Sequence, residues 1–284
     1  MLLTTDELIE NIKLRASLPT SQELFTTDRF IQILNSEMTT KIIPFIMRMK
    51  ESHFISQVDV TLQNGRDYIN FPQDALGQTI LDLFINKERV ALNHLAEREN
   101  CNEGIYLEGY KIRFKNPEYY RNKTITIYYY KRPLRLISTS KCAKVTGVNG
   151  NIIDLDTNVS FFTVSTELEH INCCEPYDSL GQVTIVNRLT NKQIEVNDGS
   201  LISVNDYLCP KNYTCIPQIP LESFELLAQR CVIKCLEGIK DSEGINIAMA
   251  DYMNMEKELT TLLTPRTGNI YKKIGSSNSL WNSW

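Results

Sequence analysis

The apolar residues of this chain change their spacing twice, and that pattern limits its fold more than any motif does. Up to about residue 56 they recur at three- and four-residue intervals. From "VDVTLQNGRDYINF" onward they alternate with polar residues, and beyond Pro217 and Pro220 the helical interval returns. A helix buries a stripe and a strand buries a face, so each segment needs a partner surface. Two amphipathic helical ends pack most simply on each other. The order therefore predicts an α+β fold, with N- and C-terminal helices packed as a helical bundle that carries an inserted antiparallel β module. The expected boundaries are 1–56 for the N-terminal helices, 57–216 for the β module, 217–264 for a C-terminal helical hairpin and 265–284 for an extended tail.

Local signals fill in this outline. Thr4 stands three residues before Glu7, the spacing of a capping box, ahead of Leu8, Ile9, Ile12 and Ala16 on one helical face. A second helix places Phe30, Ile31, Leu34 and Met38 together, and Pro44 is expected to kink or divide it. In the C-terminal hairpin, Phe224, Leu227, Cys231, Cys235 and Leu236 form the first stripe. Gly238 or Gly244 is expected to end that helix. The return helix turns Ala248, Tyr252, Met255, Leu259 and Leu262 inward and stops before Pro265.

Between the helical ends, Asn64-Gly65 and Asn149-Gly150 are hairpin signals because both residues tolerate positive φ, and Thr190-Asn191 marks a third turn. "ILDLFINKERVAL", "IYLEGYKIRF" and "KTITIYYYKRPLRLI" read as further strands of one antiparallel sheet. Tyr128, Tyr129 and Tyr130 are consecutive and cannot share a face, so at least one belongs on the outer side. The pattern leaves open whether the β segment forms one sandwich or two small sheets.

A formal net charge of −4 disfavours long-lived DNA binding, yet it is compatible with DNA passing over a weakly attractive wall. No apolar run approaches the ~20 residues of a membrane span. "MLLTTDELIE" carries acids where an export signal carries bases. Cytosolic synthesis follows, with the eight cysteines expected as buried free thiols.

Catalytic chemistry lacks a nucleus. His53, His94 and His170 are far apart, and no phosphate loop, dinucleotide fingerprint, HExxH or nucleophile elbow is present. His170, Cys173, Cys174, Cys209 and Cys215 are the best metal-ligand set. Adjacent cysteines on a strand point to opposite faces, and five residues separate Cys209 from Cys215, so neither metal nor cofactor is expected. Cys231 and Cys235 read as core. "YYKRPLR", with Arg132 and Arg135, reads as a solvated strand end.

The chain's two tryptophans, Trp281 and Trp284, stand with Leu280 on a tail of Gly, Ser and Asn. Burying both indoles removes roughly 300–500 Å² from water, about 7–12 kcal/mol gross. Ordering the backbone costs about 1–2 kcal/mol per residue. One such tail binds weakly; a ring of them binds well through effective concentration. Folding back on its own chain is the alternative use of the tail.

Taken together, "ELIENIKLRASLPTSQELFTTDRFIQILNSEM", "VDVTLQNGRDYINFP", "IPQIPLESFELLAQR" and "MEKELTTLLTPRTGNIYKKI" resemble the head-to-tail connector proteins of tailed bacteriophages. They look most like the adaptor or ring protein beneath the portal of short-tailed, crAss-like phages. The resemblance implies a non-enzymatic homo-oligomeric ring of about twelve copies. It also implies a place in the virion neck after synthesis in host cytoplasm, contacts with portal and neighbouring tail proteins, and double-stranded DNA passing through without sequence-specific binding. No membrane partner is implied. Leu280, Trp281 and Trp284 become the expected portal-docking residues. A tail-tube or other tail ring component is the nearest alternative, and a cytosolic module holding a small ligand in its β segment is the alternative of a different class.

Overall fold

The computed structural model describes residues 4–18, 24–93 and 104–264. Helix α1, Thr5–Arg15, starts from a complete capping box: Thr4 Oγ1 accepts from Glu7 N–H, and Glu7 accepts from Thr4 N–H. Leu8, Ile9 and Ile12 line its buried face. Helix α2, Thr27–Glu37, buries Phe30 and Leu34, with Ile31 partly covered. Pro44 has no N–H to donate, and just ahead of it the helix widens into a π turn, Met38–Ile42, closed by Ile43 N–H on Met38 O. Pro44 then occupies the first turn of α3, Ile43–Lys50, where a missing donor costs nothing.

Strands follow in number. β1 (Ile55–Thr61), β2 (Tyr68–Asn70), β3 (Ala75–Ile85), β4 (Glu88–Val90), β5 (Ile105–Glu108) and β6 (Lys111–Phe114) precede a one-turn α4 (Pro117–Tyr120). Then come β7 (Thr124–Lys131), β8 (Arg135–Leu136), β9 (Ala143–Asn149), β10 (Ile152–Leu155), β11 (Glu167–Ile171), β12 (Ser179–Thr190), β13 (Gln193–Val196), β14 (Tyr207–Pro210) and β15 (Tyr213–Thr214). Helices α5 (Phe224–Ile239) and α6 (Ser242–Leu263) close the described chain.

These strands do not make one sheet. β1-β7-β3-β4 is a four-stranded antiparallel sheet, β2-β6-β5 a three-stranded one, and β8 pairs in parallel with β15. β10-β13-β12-β11-β14-β9 is a closed barrel. Asn64-Gly65 does turn the chain, with Gly65 at φ +80°. The strands on either side join different sheets, however, β1 to β7 and β2 to β6. "ILDLFINKERVAL" is itself a hairpin, β3 to β4, turning on Asn86 and Lys87 at φ 49° and 71°. "IYLEGYKIRF" is another, β5 to β6, turning at Gly109. Asn149-Gly150 and Thr190-Asn191 join β9 to β10 and β12 to β13 as barrel hairpins.

The expected helical bundle with one inserted β module is overturned. Strands outnumber helices, the antiparallel sheets are large, and the terminal helices do not close on one another as a bundle. Their core is shared with strand and loop residues, including Leu136, Cys142, Ile171, Tyr207, Cys209 and Ile216. Strand alternation explains this. On β14, Leu208 points into the barrel while Tyr207 and Cys209 point out into the helix-bearing core. β11 does the same with Leu168 inside and Ile171 outside. A barrel wall with two apolar faces offers the helices a partner that sequence periodicity alone does not reveal. The four- and three-stranded sheets enclose a separate core around Ile112, Phe114, Ile125 and Ile127.

Two corrections are local. Neither Gly238 nor Gly244 ends α5; Lys240 takes the left-handed conformation at φ 61°, and Asp241 then caps α6 by accepting from Gly244 N–H. Of the tyrosine run, Tyr129 and Tyr130 are buried on opposite sides, and Tyr128 lies half-buried edge-on to Phe84. The Tyr129 hydroxyl donates to Asp74 and the Tyr130 hydroxyl to Glu51.

Candidate subunit-interface surface

Helices α5 and α6 differ in how they spend their apolar residues. α5 is covered nearly all round: Phe224, Leu227, Cys231, Cys235 and Leu236 are buried, as are Leu226 and Ile233. Burial pushes the Cys231 thiol well up, which suits an unreactive core residue. α6 has 22 residues but buries only Ala248, Leu259 and Leu263, with Tyr252 and Met255 partly covered. Leu262, expected inward, is 67% exposed, because the buried stripe passes through Leu263 instead.

What remains on α6 is organised. At 100° per residue, Ile247 and Leu262 lie on one side of the buried stripe, and Met249 and Met253 lie on the other. Ile247 is 60% exposed and Met253 64%. Beside the first flank runs a groove of about 610 Å³ between α6, α5 and the end of α1. Val232, Leu236, Ala248 and Met255 line it, and Asp241, Asp251 and Glu258 make it acidic. Arg15, the base at its edge, is already paired with Glu225.

The hairpin is tied to α2 and within itself by polar contacts. Arg230 Nε donates to Glu37 Oε2 at 2.7 Å, and its guanidinium lies 5.5 Å from the centre of the Tyr252 ring. Gln229 Nε2 donates to the Ala248 carbonyl at 3.1 Å. Such a surface can bury apolar area against another protein.

The residues singled out from the sequence fall in several places. Leu280, Trp281 and Trp284 lie outside the described residues, as does His94. His170 is buried against Asp206, Nε2 to Oδ2 at 2.7 Å. His53 sits beside Asp178, with its pKa lowered by burial. Cys173 and Cys174 neighbour each other near the surface, so the five-member metal set does not assemble. Cys209 and Cys215 do meet, with their sulfurs 3.8 Å apart, and they are joined by Cys142. Sequence reasoning passed over Cys142 because its partners lie 67 and 73 residues away. Arg132 donates to the Ala75 carbonyl, and Arg135 is exposed on β8, an arrangement of strand-end solvation. Among the described residues no helix is long and apolar enough to cross a membrane.

No protein-family model matches the chain, and no curated protein matches it.

Proposed function

We propose that this chain is a non-enzymatic structural protein of a phage virion: a ring-forming head-to-tail adaptor that docks on the portal, joins capsid to tail and lines the DNA exit channel. The observation that carries the reading is that α6 leaves apolar side chains exposed on both sides of its buried stripe, Ile247 and Leu262 on one side with Asp251 and Glu258 between them, and Met249 and Met253 on the other. Two different patches on one subunit suit a heterologous, head-to-tail contact, which closes into a ring when the rotation between subunits divides a full turn; a twofold dimer would need only one patch used twice. The neighbour that fits is a second copy of this chain, with Ile247 and Leu262 facing the Met249 and Met253 flank of the next subunit. The net charge of −4 suits a channel wall that DNA passes without sticking.

The ligand-holding alternative has less support. The barrel interior is occupied by its own side chains, among them Val145, Ile153, Leu168, Ile194 and Leu208. Imaging of the intact particle neck at side-chain resolution tests the proposal. The chain is expected as a ring between portal and tail, with α6 at the subunit boundary. Its absence from the neck overturns the assignment, and a ring whose subunits touch elsewhere overturns the role given to α6.

A further inference from the structure

Cys142 meets Cys209 and Cys215, which lie six residues apart and more than 60 residues downstream, at one buried point between the helices and the outer wall of the barrel. Cys142 follows the 3₁₀ turn Thr139–Lys141, Cys209 lies on β14, and Cys215 follows β15. All three are almost wholly inaccessible. Their sulfurs lie within 4.8 Å of one another, and the Cys209–Cys215 separation is 3.8 Å. Tetrahedral zinc, with Zn–S near 2.3 Å, sets ligand sulfurs about 3.8 Å apart.

A second observation comes from the first turn of α1. Asp6 Oδ2 accepts from Ser138 Oγ at 3.0 Å, while Asp6 Oδ1 is buried without a hydrogen-bond partner. The Ser138 carbonyl lies 3.9 Å from Cys142 Sγ, so the carboxylate and this thiol flank the same turn. Next to Asp6, Thr5 N–H and Oγ1 both donate to the Cys215 carbonyl, at 2.8 and 2.9 Å. The start of α1 is thus fastened over the sulfurs. A buried carboxylate oxygen left unpaired is costly, and a cation beside it removes that cost.

We propose that Cys142, Cys209 and Cys215 form a structural site for a single Zn²⁺, with Asp6 Oδ1, which lies outside the 4.8 Å cluster of sulfurs, closing in as fourth ligand when the ion binds. Three thiolates and one carboxylate are a donor set that zinc accepts in a closed tetrahedral site. Loading releases the three thiol protons to solvent and ties α1 to the barrel wall. Ser138 acts as a positioning residue that holds the carboxylate. The proposal does not depend on the ring assignment; either can fail while the other stands.

The test uses the full chain purified under reducing conditions without chelator, with metal measured by plasma mass spectrometry. One zinc per chain is expected. Chelation should lower the thermal midpoint, ZnCl₂ should restore it, and Co²⁺ loading should give thiolate-to-cobalt charge-transfer absorption. Ser138→Ala keeps all four ligands and should weaken zinc binding about 10- to 100-fold. Asp6→Asn, which also leaves the thiols in place, should weaken it at least as much. Metal-free protein whose eight cysteines all alkylate in denaturant and whose midpoint ignores ZnCl₂ overturns the site. So does a Cys209–Cys215 disulfide found by mass.

Discussion

The barrel and helix α6 are opposite solutions to the same problem. In the barrel every strand has two neighbours, so no edge is left open, and the inward side chains fill the interior. Even its rim is close-fitting: a Cβ on Gly199 would lie 2.3 Å from the Gly150 carbonyl oxygen. α6 has a partner on one stripe only, and large apolar side chains stand in water on both sides of it. The barrel's inward residues are spent on the fold of the chain itself, although its strand β12 also leaves Leu180, Val186 and Leu189 exposed on the outside. Those on the flanks of α6, Ile247, Met249, Met253 and Leu262, contribute little to that fold.

The strongest way to break this comparison is to cut into the barrel. Leu208→Ala removes a fully buried side chain from the interior and should destabilise the full chain by about 2–5 kcal/mol in denaturant unfolding. A loss below 1 kcal/mol would mean that the wall is not packed as described.

The buried polar end of the barrel should give a smaller loss. Asp206 accepts from His170 Nε2, Cys173 N–H and Ser203 N–H. Burial alone would raise its carboxyl pKa, but these hydrogen bonds hold it below its ordinary value. A carboxylate depressed in the folded state stabilises fully above its unfolded pKa of about 3.9, and that contribution is lost as pH falls through the lower folded value. Asp206→Asn should cost about 1–3 kcal/mol near neutral pH and flatten the acid limb of stability below about pH 4. An unchanged acid limb in the variant would remove Asp206 from this role.

The flanks of α6 should give the smallest change in stability. Ile247→Asp and Met253→Asp should each leave the monomer within about 0.5 kcal/mol of wild type. In ring assembly with portal, measured by light scattering or negative-stain imaging, each should abolish closure, because each removes one side of the head-to-tail contact. A large loss of monomer stability would show that the flank serves the fold, and undiminished ring formation would exclude it as the interface.

How much of this was legible in the sequence depended on how local each cause was. The capping box at Thr4 and Glu7, the buried faces of α1 and α2, the core role of Cys231 and Cys235, and the barrel hairpins at Asn149-Gly150 and Thr190-Asn191 all follow from neighbours a few residues apart. The Asn64-Gly65 turn was equally readable, but whether its flanking strands pair was not. β1 meets all seven of its partners on β7, more than sixty residues away. Asn86-Lys87 was missed because lysine is not a usual residue at positive φ. Leu262 was misplaced by a single step in a stripe whose position is set by α5 and α3.

The sequence by itself determined that the described ends are helical and the middle is built of strands, and where several turns fall. Those are consequences of side-chain spacing and backbone preference within a few residues. Only the tertiary structure decided that six strands close into a barrel and that the barrel wall carries a second apolar face for the helices. It also decided that three thiols converge. Strand pairing and side-chain convergence are contacts between remote segments. They are chosen by competition among all available faces, so the spacing of residues along the chain does not encode them.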